Sequence, residues 1–320
     1  MRMLNKTRSL MLISLLSVFV WLPCICNASE TETEGSLITV PVSSELADNP
    51  AISYLGPQGT YTEEAAQSFF QTGEFIPKES VPDAIADVME GTADYAVIPQ
   101  ENTLGGAVTD YLDALIAKQD VYVVGEVVLP ISQTLMALPG AAIDDIKTVC
   151  SHAQGIAQSA EWRKEHLPDA VTQEMDSTAA AARYVSESGD KTIAAVAAPG
   201  AAKLYGLSVL AENVQITDAN KTRFYVLSSS RLKEEGQTNA VYVVSCEANR
   251  IDDIIVAIHD SGLELVTIHD RPEGSRLGTY NYVIELEDPS GLSDDVLSEL
   301  DAISEAQFRG SFRVMNVGAE

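Results

Sequence analysis

The stretch Ile52-Ser53-Tyr54-Leu55-Gly56-Pro57-Gln58-Gly59-Thr60-Tyr61-Thr62-Glu63-Glu64-Ala65-Ala66 runs from a short apolar segment through a glycine-bearing turn into a helical pattern that continues to Phe70. Gly59 lets backbone approach a ligand, and Thr60 and Thr62 supply hydroxyls there. Thr62 can cap the helix, whose positive end then faces an anion. The same residues also suit a plain strand-to-helix turn with no ligand, and both readings stay open on this stretch alone.

Working outward, the unit recurs. Tyr95–Ile98 reads as a strand before a helix from Val108 to Ile116, and a helix is predicted near Pro82–Met89. Val121–Leu129, Thr134–Leu138 and Val149–Ser151 read as strands, followed by a helix over Gln154–His166. Ser177–Glu187 is a further helix, with strands at Ile193–Ala197 and Arg223–Ser228. Such alternation implies an α/β fold with mainly parallel pairing, in which ligands meet the carboxyl ends of strands. Residues 230–238 turn polar and charged around Gly236, a linker signal. Residues 239–320 then read βαββαβ, the order of a small ferredoxin-like sheet with two helices on one face.

Residues 1–28 differ from the rest. Arg2, Lys6 and Arg8 precede an apolar run from Leu10 to Cys26, and Cys26-Asn27-Ala28 offers a cut ahead of Ser29. That is the layout of a secretory signal peptide, so export with cleavage is expected; an uncleaved anchor is the other reading. Residues 29–50, rich in Glu, Thr and Ser, read as a flexible tether, leaving 51–229 as the main domain. The formal charge is −27, and would be −30 without the three leader bases. A surface so acidic repels nucleic acid and anionic lipid, and a small anionic substrate needs local compensation. Cys150 and Cys246 sit in apolar runs and are expected as buried thiols; no zinc-type spacing exists, and neither metal nor cofactor is expected.

Three further motifs carry candidate chemistry. Ile98-Pro99-Gln100-Glu101-Asn102-Thr103-Leu104-Gly105-Gly106 presents an amide and a hydroxyl after a strand, with Gly106 admitting ligand or a tight helix entry. Ser151-His152-Ala153-Gln154 opens a helix; His152 either moves a proton or is structural. Asn220-Lys221-Thr222-Arg223-Phe224 places a hydroxyl beside a guanidinium that can grip a carboxylate.

These stretches, in this order, resemble the prephenate dehydratase signatures GPxGTFTE, PIENSxxG, SHPQALAQ and NxTRF, and Ser177-Thr178-Ala179-Ala180 resembles STAxAA. The resemblance covers about residues 51 to 317. It implies a two-lobed, periplasmic-binding-protein-like catalytic domain followed by an ACT-like regulatory domain. The implied reaction is the decarboxylating dehydration of prephenate to phenylpyruvate. Thr222 and Arg223 are the implied catalytic pair, Thr222 assisting the leaving hydroxyl and Arg223 holding the pyruvyl carboxylate. On that reading Arg223→Ala mainly raises KM and Thr222→Ala mainly lowers kcat. Thr60, Thr62, Asn102, Thr103, Gly106, Ser151, His152, Gln154, Asn220 and Phe224 are the implied substrate contacts. Phenylalanine is the implied effector, at Asn249, Arg250, Ile251, Asp270, Arg271 and Pro272, and ACT pairing implies a homodimer or homotetramer.

The chain also departs from the pattern. Gln100, Thr103 and Tyr111 replace Ile, Ser and Thr, and Ala153 and Gly155 replace the Pro and Ala of SHPQA. The GAL and ESRP effector motifs read Asn249-Arg250-Ile251 and His269-Asp270-Arg271-Pro272. Arogenate as substrate and an exported, non-catalytic solute-binding or sensor protein remain the rival readings.

Overall fold

A computed structural model describes residues 42–43, 45–301 and 306–318; the expected leader and most of the expected tether lie outside them. The first lobe comprises β1 (Val42–Ser43), β2 (Ala51–Leu55), α1 (Tyr61–Phe69), β3 (Glu74–Lys78), α2 (Val81–Glu90), β4 (Tyr95–Asn102), β5 (Gly106–Ala107), α3 (Thr109–Ala117) and β6 (Tyr122–Pro130). After a crossing at 131–133 the second lobe holds β7 (Thr134–Ala137), β8 (Thr148–Ser151), α4 (Ala153–Gln158), α5 (Ala160–His166), β9 (Val171–Glu174), α6 (Thr178–Ser188), β10 (Ile193–Ala197), α7 (Pro199–Leu204) and β11 (Ser208–Ala211). The chain returns through β12 (Lys221–Ser228) and β13 (Arg231–Leu232). It ends with β14 (Asn239–Glu247), α8 (Ile251–Asp260), β15 (Glu264–Pro272), β16 (Thr279–Glu287), α9 (Asp294–Asp301), β17 (Ala306–Phe312) and β18 (Val314–Asn316).

Pairing is mixed rather than mainly parallel. In the first lobe β3, β2 and β4 run parallel, but β12 lies antiparallel between β4 and β6. The second lobe orders β11-β7-β10-β8-β9, antiparallel on the β7 side and parallel beyond β10. The reason is the double crossing: strands that carry the chain between lobes must run against those built by βαβ steps.

Apolar faces explain the layers. Helix α1 is capped by Thr60, has Glu63 and Glu64 in its first turn, and buries Thr62, Ala65 and Ala66 at i, i+3, i+4. Its Phe69 lies over Gly125 of β6, where an added Cβ would come within 2.5 Å of the ring. On the opposite sheet face Ile98, Tyr111, Leu115 and Tyr225 share one core with Val241, Val243, Val283 and Phe312 from the C-terminal unit. Each such side chain contributes about 1.5–3 kcal/mol when fully buried, so this shared core docks the C-terminal unit firmly onto the lobe.

The C-terminal sheet is antiparallel in the order β15-β16-β14-β17, as the βαββαβ reading requires. Four boundaries differ from the sequence reading. The last strand of the expected βαββαβ order is two, β17 and β18, and β18 leaves the C-terminal sheet to pair parallel with β6 of the first lobe. The expected linker is ordered: β13 pairs with β1, and buried Gln237 donates to the carbonyls of Leu232 and Ser311. The end of the expected tether is ordered too, with Leu46 packed on the core and the Ala47 amide donating to the Tyr95 hydroxyl. The predicted helix 154–166 breaks at Ser159 into α4 and α5. Cys150 and Cys246 are both buried, in separate cores, and burial pushes the Cys150 thiol up to about 11.

Candidate active site

A cleft of about 240 Å³ opens between the two lobes. The first lobe lines it with Leu55, Thr60, Thr62, Pro99, Asn102, Thr222 and Phe224, and the second with His152, Gln154, Gln158, Ser177 and Thr178. Gln133 and Asn220 come from the two crossings. Three N-caps, Thr60 of α1, His152 of α4 and Ser177 of α6, therefore meet at one opening. Helix N-termini present unpaired N–H groups and positive potential, which suits an anion.

Asn102 organises the floor. Its amide Nδ2 donates to Thr222 Oγ1 at 2.8 Å and to Asn220 Oδ1 at 2.9 Å. Its Oδ1 accepts from the Leu104 and Gly105 amides and, across the cleft, from Gln154 Nε2 at 3.1 Å. Because Thr222 Oγ1 receives a proton donor from Asn102, its own hydrogen is left for a ligand; among the described residues no acceptor takes it. Among the buried atoms of the described residues that lack partners are Gln133 Oε1 and Asn220 Nδ2. Both belong to residues that line the cleft, and polar bonds missing there are ones a ligand can supply. A second cross-lobe bond joins the Tyr205 hydroxyl to the Gln58 carbonyl at 2.7 Å.

The structure brings Thr60, Thr62, Asn102, His152, Gln154, Asn220, Thr222 and Phe224 together as expected from sequence, and excludes four others. Arg223 does not face the cleft. Successive residues of a strand point to opposite faces, so the turn that presents Thr222 sends Arg223 to the far side of the sheet. There its guanidinium bonds Glu126 through Nε and Nη2, at 2.8 and 2.7 Å, and Glu285 at 2.6 Å. Thr103 uses its hydroxyl on the Lys221 backbone, both donating to its carbonyl and accepting from its amide. Gly106 lies in β5, outside the lining. Ser151 is fully buried and donates to the Val196 carbonyl, tying β8 to β10.

Of the residues aligned with effector motifs, Asn249 and Arg250 form a 3-10 turn leading to Ile251 at the start of α8, while Asp270, Arg271 and Pro272 end β15. Arg271 is committed to Asp113 of α3, at 2.7 and 2.9 Å. Gln133, Gln158, Ser177 and Thr178 were missed from sequence as lining residues; Gln133 stands between Ser132 and Thr134 and Gln158 before Ser159, where nothing local singles them out.

Fold and cleft together define a two-lobed α/β domain with three helix N-caps at its inter-lobe cleft, followed by a βαββαβ unit. A family model described as prephenate dehydratase matches residues 52–231. The chain is 35% identical over 242 residues to the prephenate dehydratase of Lactococcus lactis, covering 73% of this chain and 86% of that protein. The solved prephenate dehydratase of Arthrobacter aurescens in complex with L-Phe superposes with a TM-score of 0.73 at 32% identity, covering 82% of this chain and 89% of that one. A solved protein described as a novel type of quorum quenching acylase also superposes at 0.73, with 25% identity over 82% of this chain and 98% of its own. The chain belongs to the prephenate dehydratase family.

Proposed function

We propose that the protein converts prephenate to phenylpyruvate, releasing carbon dioxide and water. The C–C bond to the ring carboxylate breaks to release CO2, its electron pair completes the aromatic ring, and the ring C–O bond breaks with its pair leaving on oxygen as hydroxide, which takes a proton from solvent to become water. The observation that carries this reading is Thr222 Oγ1, which is held by Asn102 with its hydrogen available and therefore donates to the departing oxygen. A threonine hydroxyl is too weak an acid to give up its proton outright, so its part is hydrogen-bond stabilisation of developing hydroxide, worth a few kcal/mol. The displacement of Arg223 fits this chemistry. A cation on the ring carboxylate would stabilise the charge that decarboxylation has to remove; among the described residues lining the cleft none is Lys or Arg. The pyruvyl carboxylate is received instead at the N-termini of α1 and α6, with Ser177 and Thr178 beside it. An acylase activity, as the neighbour's description names, fits less well, since no base among the described residues accepts from the Thr222 hydroxyl.

Incubating purified protein with prephenate and following phenylpyruvate absorbance tests this. Wild type turns over, Thr222→Ser retains most activity, and Thr222→Ala loses about 10²-fold in kcat with KM little changed. Equal turnover by Thr222→Ala sinks the assignment. Arogenate run in parallel, with phenylalanine as the readout, decides the substrate. The βαββαβ unit is read as an ACT-like regulatory module that takes phenylalanine, as in the L-Phe complex of the Arthrobacter relative. Inhibition by phenylalanine, and the mass of the protein in solution with and without it, test that reading and the expected dimer or tetramer.

A further inference from the structure

The far face of β12 carries a buried ion cluster that cleft chemistry does not use. Glu126 of β6 and Glu285 of β16 are both fully buried, and Arg223 bridges them. Glu285 also accepts from the Tyr225 hydroxyl at 2.7 Å and from Asn239 Nδ2 at 2.9 Å. Tyr225 in turn accepts from Gln100 Nε2. Glu101 lies 3.7 Å from both Arg223 Nη1 and His269 Nε2, and His269 Nδ1 meets the Tyr111 hydroxyl. Tyr111 and His269 are two of the departures from the family pattern, and here they touch. The cluster is thus built by groups from β4, β6, α3 and β12 on one side and β14, β15 and β16 of the C-terminal unit on the other.

The cluster sits where β4 bulges against β12, with Gln100 as the extra residue. Pairing with β4 shifts register between Arg223 and Phe224, so that Thr222 faces Asn102 and Arg223 faces Glu101 while Phe224 faces Pro99. Bulges of this kind re-aim side chains beside functional sites. Here the bulge falls one residue from the hydroxyl that points into the cleft.

We propose that Glu285, on the C-terminal unit, is a positioning residue for the reaction: by holding Arg223 it fixes β12 opposite the bulge of β4 and so the aim of Thr222. Among the described residues the first lobe supplies Glu126 and Glu101 to the guanidinium, and the docked unit supplies Glu285. The inference rests on the cleft being the active site. Burial, then Glu285 beside it, pushes the Glu126 carboxyl up to about 7, while Arg223 opposes that shift. The charged and titratable groups facing Glu126 are Arg223, Glu285, Glu101, Tyr225 and, through Glu101, His269.

The test is Glu285→Gln in the full chain, read two ways. In turnover of prephenate, kcat is expected to fall about tenfold with KM within about twofold. The ionisation in the kcat profile near neutrality moves to lower pH, because the negative charge that lifts Glu126 is gone; a purely structural role would leave it in place. Independently of any substrate, amide hydrogen exchange in peptides covering 220–228 speeds up about tenfold, while peptides of β7 to β11 do not change. Should Glu285→Gln fail to fold, Glu126→Gln removes the same ionisation while keeping the Arg223–Glu285 pair. Wild-type protein that never turns over prephenate refutes the proposed reaction and leaves the exchange measurement to judge the positioning role. Unchanged exchange over 220–228 overturns that role, as does an unchanged kcat and pH profile in an active enzyme.

Discussion

Thr222 and Arg223 show how much one peptide unit decides. Sequence adjacency suggested that they act on one ligand, yet alternation along β12 sends them to opposite faces, one to the cleft and one to a buried pair of carboxylates. Arg223→Ala is therefore expected to act on stability rather than on KM. It leaves Glu126 and Glu285 buried without a cation, at a cost of about 3–5 kcal/mol. Burial already holds the Glu126 carboxyl above its ordinary value and the variant loses the guanidinium that opposes this, so the variant's stability is retained at low pH and lost as pH rises through the folded-state value of Glu126. Urea unfolding of variant and wild type at pH 5 and pH 8 should show the deficit widening with pH; a constant deficit with a raised KM would return Arg223 to the cleft.

At the scale of elements, the sequence told most where a segment's pattern reflects its own burial. Strand β4, with Tyr95–Ile98 buried, helix α2 with its apolar stripe, and the βαββαβ order were all legible. Strands β3, β9 and β11 were not. Phe75 and Ile76 precede Pro77 in β3, Val171–Glu174 are exposed throughout, and Ser208–Ala211 is an edge strand, so none shows the alternation that marks a half-buried strand. The helix starts at the cleft were legible only coarsely: the cap of α1 was expected at Thr62 and falls at Thr60, whose hydroxyl accepts from the Glu63 amide, while His152 and Ser177 cap α4 and α6 within two residues of the expected starts. What local pattern cannot convey is crowding. Gly155 stands where the family has alanine, and a Cβ there would come within 2.3 Å of Ser151 Oγ, which is committed to the Val196 carbonyl. Gly155→Ala is expected to destabilise the second lobe by about 1–3 kcal/mol, seen as a lower thermal midpoint; an unchanged midpoint would mean that Ser151 turns away without loss.

For the molecule as a whole, the division into a catalytic part and an appended unit was readable, but its seam was not. β18 crosses back to β6, β13 pairs with β1, and one core spans both parts. These contacts are far apart in sequence, and composition shifts at 230–238 mark only where the chain leaves a domain, not whether it returns. The cleft itself has a broader consequence. A protein of formal charge −27 asks an anionic substrate to enter a mouth where backbone dipoles supply the attraction. Those dipoles act over a turn of helix, whereas the repulsive field of the surface reaches over a Debye length of about 10 Å at 0.1 M salt. Added sodium chloride should therefore speed substrate capture, with kcat/KM rising a few-fold between about 20 and 200 mM. An arginine-gripped pocket would respond in the opposite sense, so the sign of the ionic-strength dependence reports which kind of mouth the substrate meets.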